Sequence, residues 1–138
     1  MPNKTTNYQL NQWEPEDDFL RTDFNEDNAK IEAALTALTA GQVKVVAGSY
    51  TGTNSADGRE IEVGFQPDAV VLFYNRGFTY NSGYTYGGLF LPGAPLITGN
   101  GSVAAEVTDT GFKVYYNSNQ QQYTDQYGST YHYLALKW

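Results

Sequence analysis

The chain has 138 residues, which is enough for one ordinary domain and a short appendage but too short for two independent hydrophobic cores. Its formal net charge of −7 argues against nucleic acid or an anionic membrane surface as a partner, because both require a basic footprint. The absence of cysteine excludes disulfides, thiolate metal sites and thiol catalysis, and we expect no metal ion or other cofactor.

Residues 1–22 form the first segment, which we expect to be an extended attachment arm. It contains Pro2 and Pro15, and its large apolar residues are scattered without a sustained period. Its first residues are polar and lack the apolar stretch of a signal peptide, and no run in the chain approaches the ~18 apolar residues of a membrane span. We therefore expect an arm that docks on another protein, without membrane insertion.

Residues 23–41 are predicted to form a helix. Thr22 or Asp23 can cap its start, with Glu26 completing a capping box, and Gly41 supplies a stop. The apolar positions follow one heptad stripe, with a polar residue at an alternate position of the same seam. The predicted oligomerisation residues are Phe24, Asn28, Ile31, Leu35 and Leu38.

A lone helix of this length is marginal in water, so the predicted helix needs a partner. One alternative is self-association through the heptad stripe, which would make the segment a trimerisation stalk. The other is that the helix packs back onto its own domain. In the first alternative, the polar seam position Asn28 would fix the register at some cost in stability.

Residues 42–138 contain alternating or short apolar runs, which are typical of β-strands, separated by turn signals. The seven predicted strands cover residues 43–50, 59–63, 69–74, 87–91, 102–107, 111–116 and 130–138. Short strands without intervening helices predict a mainly β fold, with an antiparallel β-sandwich or small barrel after the arm and helix. We expect residues 42–138 to be the tip domain.

Two linkers, residues 76–86 and 117–127, are longer than turns and combine tyrosine with glycine, serine and amide residues. This mixture is typical of adaptable recognition surfaces. The candidate receptor-binding residues are Tyr80, Tyr84, Tyr86, Tyr123 and Tyr127. Three interpretations remain open: their rings form a stacking platform for sugars, form a wall between subunits, or belong to the core of unrecognised strands.

Catalytic chemistry has little support in the sequence. His132 is the only histidine, and it lies in an alternating run, so we interpret it as structural; a metal site formed by three copies at a symmetry axis is the alternative. Glu60 and Glu62 are two residues apart on a predicted strand, so both point to one solvated face. We therefore expect no enzymatic activity.

The N-terminal part resembles the attachment module of bacteriophage and prophage tail-fibre and receptor-binding proteins. The residues that carry the resemblance are Asn7-Tyr8-Gln9-Leu10, an "N-Y-x-L" arm, and Trp13-Glu14-Pro15. They lead to a helix that opens with Asp23-Phe24-Asn25 and continues to Lys30-Ile31. Glu32 follows where the family usually has aspartate.

The C-terminal part resembles the terminal β domains of the same fibre proteins. It has the pattern "G-x-Y-x-G" at residues 48–52, "G-F-x-P-x-A-V" at 64–70 and "Y-x-Y-x-A" at 131–135. The run Gly111-Phe112-Lys113-Val114 also fits. Residues 78–86 and 117–127 match no pattern of the family.

The resemblance implies a virion structural protein of the phage tail. Its arm would bind a tail or baseplate protein, its helix would form a homotrimer, and its β domain would bind a host surface receptor, most simply a saccharide. The alternative from a different class is a monomeric carbohydrate-binding or structural assembly module that is not associated with a virion.

Overall fold

The computed structural model describes residues 2–138, and the chain divides into two compact units, one that ends at Gln42 and one that covers Val43–Trp138. The fold is mainly β, with one α-helix and several antiparallel sheets among these residues. The predicted order of an N-terminal arm, a helix and a β-sandwich is confirmed.

The segment before the helix is a short hairpin and not an extended arm. Strand β1 (Asn3–Lys4) pairs antiparallel with β2 (Asn11–Gln12). Thr5 closes the loop between them, because its backbone N–H donates to the Leu10 carbonyl at 2.8 Å and its hydroxyl accepts from the Leu10 N–H at 2.9 Å. These are polar contacts, and the hydropathy pattern gives no sign of them.

The helix α1 (Arg21–Ala40) binds the hairpin through Asp27 and Lys30. One Asp27 oxygen accepts from the backbone N–H and from the side-chain amide of Asn11, each at 3.0 Å. Lys30 Nζ donates to the Gln9 carbonyl at 2.7 Å. The hairpin and the helix therefore form one small unit.

The helix begins at Arg21, two residues earlier than predicted, and the predicted capping box is wrong. Leu20 occupies the N-cap position and makes no side-chain cap hydrogen bond. The ring of Trp13 instead packs against Phe24 and Phe19, with centroids 5.4 and 4.9 Å away. Apolar contacts around the first turn fix the entry of the chain in place of a polar cap.

The second unit contains twelve strands, seven of which have three residues or more. They are β3 (Lys44–Thr51), β4 (Arg59–Glu62), β5 (Ala69–Tyr74), β6 (Tyr80–Asn81), β7 (Tyr84–Thr85), β8 (Gly88–Phe90), β9 (Leu96–Ile97), β10 (Val103–Val107), β11 (Gly111–Val114), β12 (Tyr116–Asn117), β13 (Gln122–Tyr123) and β14 (Thr130–Lys137), with a 3-10 turn at Ser118–Gln120. The seven longer strands match the seven predicted ones. The five two-residue strands are too short for a period to reveal them.

The twelve strands form three sheets of four strands each. The first sheet has the order β3-β14-β5-β8, the second β4-β11-β10-β9 and the third β12-β13-β7-β6. Pairing between these strands is antiparallel except for β13 with β7, which is parallel at Gln122 and Thr85.

The hydrophobic core lies between the first and second sheets. The ring centroid of Phe112 on β11 lies 5.0 Å from that of Tyr133 on β14 and 5.8 Å from that of Phe90 on β8. The other buried members of this core are Ile61, Val70, Leu72, Ala105, Val114, Tyr131 and Ala135. Apolar side chains buried between two facing sheets are the defining feature of a sandwich.

The "G-x-Y-x-G" pattern places two glycines where the backbone closely approaches another segment. A Cβ atom at Gly48 would lie 2.4 Å from the hydroxyl oxygen of Tyr133, and one at Gly52 would lie 1.9 Å from the carbonyl oxygen of Gln126. Tyr50, between the glycines, packs against the core. Packing within the sandwich therefore explains this pattern.

Candidate functional site

The two tyrosine-rich linkers meet at the third sheet. The rings of Tyr84 on β7 and Tyr123 on β13 have centroids 4.3 Å apart. The backbone N–H of Thr85 donates to the Gln121 carbonyl at 3.0 Å. Two segments that the sequence predicts as separate candidate loops are thus parts of one surface.

A connected set of tyrosine rings leads from this sheet into the core. The centroid of Tyr123 lies 5.2 Å from that of Tyr86 and 5.1 Å from that of Tyr116. Tyr86 lies 5.0 Å from Tyr74, and Tyr74 lies 5.6 Å from the fully buried Tyr131. Packing therefore fixes the positions of these rings, which the sequence alone leaves open.

Two phenols of this set, Tyr123 and Tyr86, have raised pKa values that favour their neutral form. Burial is the main cause that raises the pKa of Tyr123 to about 12, and the neighbouring Tyr116 hydroxyl adds to the shift. Burial also raises the pKa of Tyr86. At physiological pH both hydroxyls can therefore donate and accept hydrogen bonds.

Tyr80 is the exposed ring at the edge of the third sheet. It lies on the edge strand β6, opposite Thr85 of β7, and its exposed fraction is 61%. Among residues 2–138 its ring makes none of the aromatic contacts of the third sheet, so it presents free apolar area together with a polar hydroxyl. Of the predicted receptor-binding residues in this sheet, Tyr80 has the most accessible ring.

A third segment, residues 98–102, contacts the second tyrosine-rich linker. Asn100 Nδ2 donates to the Asn119 carbonyl at 3.3 Å, and Ser102 Oγ donates to Gln120 Oε1 at 2.5 Å. Sequence reasoning predicts only a turn here, and no signal in a single sequence joins that turn to the second linker. Short amide and hydroxyl groups of this segment therefore contact the second tyrosine-rich linker.

Gln121 lies between two of these segments and carries an unused acceptor. Its Oε1 atom is buried and has no hydrogen-bond partner among residues 2–138. A Cβ at Gly99 would lie 3.0 Å from this oxygen, so a side chain at that position would crowd the Gln121 amide. A water molecule or a ligand hydroxyl can satisfy such an acceptor.

We call this region the tyrosine–amide site. It consists of Tyr80, Tyr84, Asn100, Asn119, Gln120 and Gln121. All six side chains are uncharged, and their hydroxyl and amide groups can both donate and accept hydrogen bonds. The site is therefore chemically suited to a neutral, hydroxyl-rich ligand.

Tyr127 lies in a different environment from the other predicted receptor-binding residues. Its backbone N–H donates to Asn54 Oδ1 at 2.7 Å, and it forms an isolated parallel bridge with Gly52. Its exposed fraction is 76%, and it lies on none of the four strands of the third sheet. The structure therefore does not bring Tyr127 together with the tyrosine–amide site.

The predicted oligomerisation residues lie on an exposed helix. Ile31, Leu35 and Leu38 are 43%, 56% and 61% exposed, and no residue of α1 is buried. Asn28 is also exposed. Phe24 differs, because part of its surface packs on the aromatic rings of the arm.

The two carboxylates predicted to lie on one strand face are both found on β4, and one of them forms hydrogen bonds within the sandwich. Glu60 and Glu62 are both exposed on β4, as their spacing predicts. One Glu60 oxygen accepts hydrogen bonds from the hydroxyls of Thr108 and Thr110, the second at 2.9 Å. These contacts tie β4 to the turn between β10 and β11.

Comparisons with family models, curated proteins and solved structures found no match for this chain. Within residues 2–138, no helix has both the length and the apolar character needed to cross a membrane. The function of the chain is therefore inferred from the geometry and chemistry of the site.

Proposed function

We propose that this chain is a trimeric attachment protein of the phage tail-fibre type, whose β-sandwich binds a bacterial surface saccharide at the tyrosine–amide site. The observation that carries the proposal is the convergence of three loops on uncharged rings and amides. The hairpin would bind a tail or baseplate protein and place the chain in the virion. The role is binding and assembly, without catalysis.

A saccharide fits the chemistry of the site better than a charged ligand. Sugar rings have apolar faces that stack on exposed tyrosine, and Tyr80 offers such a ring at the sheet edge. Sugar hydroxyls both donate and accept, as the amides of Asn119 and Gln120 do. The formal net charge of −7 further disfavours an anionic ligand.

The helix supports the trimeric part of the proposal. A helix of 20 residues with no buried residue has little packing to stabilise it in the single chain. Tyr8 and Leu10 of the hairpin line the same apolar groove as Ile31 and Leu35, which widens the exposed apolar surface. Association of three copies through this surface would remove it from water.

Binding to an array of bacterial surface polysaccharides tests the proposal. Tyr80→Ala is expected to weaken binding about fivefold or more, which corresponds to about 1 kcal/mol of ring contact. Tyr127→Ala is the matched control, because Tyr127 is at least as exposed but lies outside the site. Absence of saccharide binding by the natural chain, or equal losses in the two variants, would contradict the proposal.

A monomeric carbohydrate-binding or assembly module is the second candidate. It is favoured by the fact that all six residues of the tyrosine–amide site lie in the second unit, Val43–Trp138. The mass of the intact chain in solution separates the candidates. A monomeric chain whose saccharide binding is weakened by Tyr80→Ala but not by Tyr127→Ala would favour the second candidate.

A further inference from the structure

The outer surface of the first sheet is apolar, although it faces away from the core. The apolar face consists of Val45, Ala47, Val71, Phe73, Leu89 and Leu134. Four of these side chains, Val45, Phe73, Leu89 and Leu134, are between 43% and 59% exposed. Scattered apolar residues are normal on a protein surface, but a continuous apolar area indicates an interaction surface.

Strand register makes the apolar face continuous across the sheet. Leu134 on β14 lies opposite Ala47 on β3 and opposite Val71 on β5. Val71 in turn lies opposite Leu89 on the edge strand β8. One row of apolar side chains therefore crosses all four strands.

The next row of the same sheet contains the single histidine. His132 lies opposite Ser49 on β3 and opposite Phe73 on β5, and it is exposed. None of the chain's 15 carboxylate side chains belongs to the two rows, whereas Glu60 and Glu62 lie exposed on the second sheet. For a chain of net charge −7, a carboxylate-free face allows a second copy to approach with the least electrostatic repulsion.

The second exposed apolar surface of the chain argues for a copy of the same chain as the partner of the apolar face. Four strands about 4.8 Å apart, with three rows that span about 13 Å along the strands, give roughly 200 to 300 Å². A stable interface needs roughly 800 Å² from each partner, so this face alone is too small. The same chain also carries the exposed stripe of α1, and two linked surfaces bind a second copy together far better than either does alone.

We propose that the apolar face points toward the axis of the trimer and is buried by the other two copies, so that the three His132 side chains approach one another. The proposal rests on the trimeric function proposed above. The helix brings the copies together, and the apolar face orders the three sandwiches around the axis. The tyrosine–amide site contains no residue of the first sheet, so it stays free for a receptor.

Single cysteines introduced into the naturally cysteine-free chain test this arrangement. His132→Cys in the full chain is expected to give covalent dimers on oxidation or with a short bis-maleimide, because thiols near the axis come within cross-linking distance. Glu62→Cys, exposed on the second sheet, is the matched control and is expected to remain uncross-linked. Dilution before oxidation checks that cross-linking occurs within a preformed trimer.

A charge introduced into the face provides a second measurement. Leu134→Glu is expected to raise the concentration for half-dissociation of the trimer at least tenfold, whereas Ile97→Glu, at an exposed position of the second sheet, leaves it unchanged.

A natural chain that is trimeric by light scattering, with His132→Cys uncross-linked, overturns this inference but not the proposed function. A monomeric natural chain overturns both. Cross-linking of His132→Cys but not of Glu62→Cys supports the inference even where Leu134→Glu fails to fold.

Discussion

Arg59 and Asp125 form an ion pair in which Arg59 Nη2 lies 2.7 Å from Asp125 Oδ1, and the Asp125 side chain is fully buried. The carboxylate also accepts from the Thr53 hydroxyl at 3.0 Å and from the Ser55 backbone N–H at 3.1 Å. One buried charge therefore joins the second tyrosine-rich linker to the loop before β4. A buried carboxylate with this set of donors is stable only while its partners remain.

Asp125→Asn is expected to lower the free energy of unfolding by about 3 kcal/mol, because it removes the charge that Arg59 and the loop donors share. Denaturant unfolding of the full chain measures the loss. Asp57→Asn, an exposed position in the same loop, serves as the control and is expected to change stability by less than about 0.5 kcal/mol. Equal effects of the two substitutions would show that the buried pair does not stabilise the fold.

The main architecture could be predicted from the sequence because its signals are local. The alternation of apolar and polar residues gave the longer strands, and the strand predicted at residues 69–74 coincides with β5 (Ala69–Tyr74). Gly41 ends the helix as predicted, with its N–H donating to the Ala37 carbonyl at 3.0 Å. The helix start was misplaced because aromatic packing, which no local pattern encodes, replaces the cap.

The candidate site could be predicted only in part. Tyrosine-rich composition indicated Tyr80 and Tyr84, but the composition is equally rich around Tyr127, which lies elsewhere. Asn100 and Gln121 were missed because their place in the site depends on the contact between three loops. That contact depends on strand pairing between the two linkers and on side-chain hydrogen bonds from residues 98–102, which join segments far apart in the sequence.

Tyr131→Phe tests the buried hydroxyl that connects the core to the second linker. This hydroxyl donates to the Tyr123 carbonyl and accepts from the Gln126 N–H at 3.1 Å. Its removal leaves two backbone groups without their partner, so the free energy of unfolding is expected to fall by about 2 kcal/mol. Tyr127→Phe controls for loss of an exposed hydroxyl, and a Tyr131→Phe protein as stable as this control would refute the assigned role.

Alkaline pH should destabilise the sandwich through its buried phenols. Burial raises the pKa of Tyr123 to about 12, whereas an unfolded tyrosine has a pKa of about 10. The stabilising effect of the neutral phenol is therefore complete below pH 10 and is lost as the pH rises to 12, since the unfolded chain releases its proton first. Urea unfolding midpoints between pH 8 and 12 are expected to stay level and then fall, with a smaller fall in Tyr123→Phe. A midpoint independent of pH would contradict this.

Trimer formation should depend on the exposed helix stripe. Replacing Ile31 and Leu35 together by Asp would place unpaired charges in the proposed helix interface, and size exclusion with light scattering is expected to show monomers at micromolar concentration. The charge-matched control replaces Ala33 and Ala37 by Asp on another side of α1 and is expected to remain trimeric. Equal masses for the two double variants would reject the stripe as the interface.

The location of saccharide binding can be measured directly by nuclear magnetic resonance. Backbone amide shifts of the isotope-labelled full chain are recorded while a bacterial surface oligosaccharide that the chain binds is added. Perturbations are expected at residues 79–86, 98–102 and 117–122, the three segments of the tyrosine–amide site. Perturbations confined to the hairpin, the apolar face or the surroundings of Tyr127 would contradict this expectation.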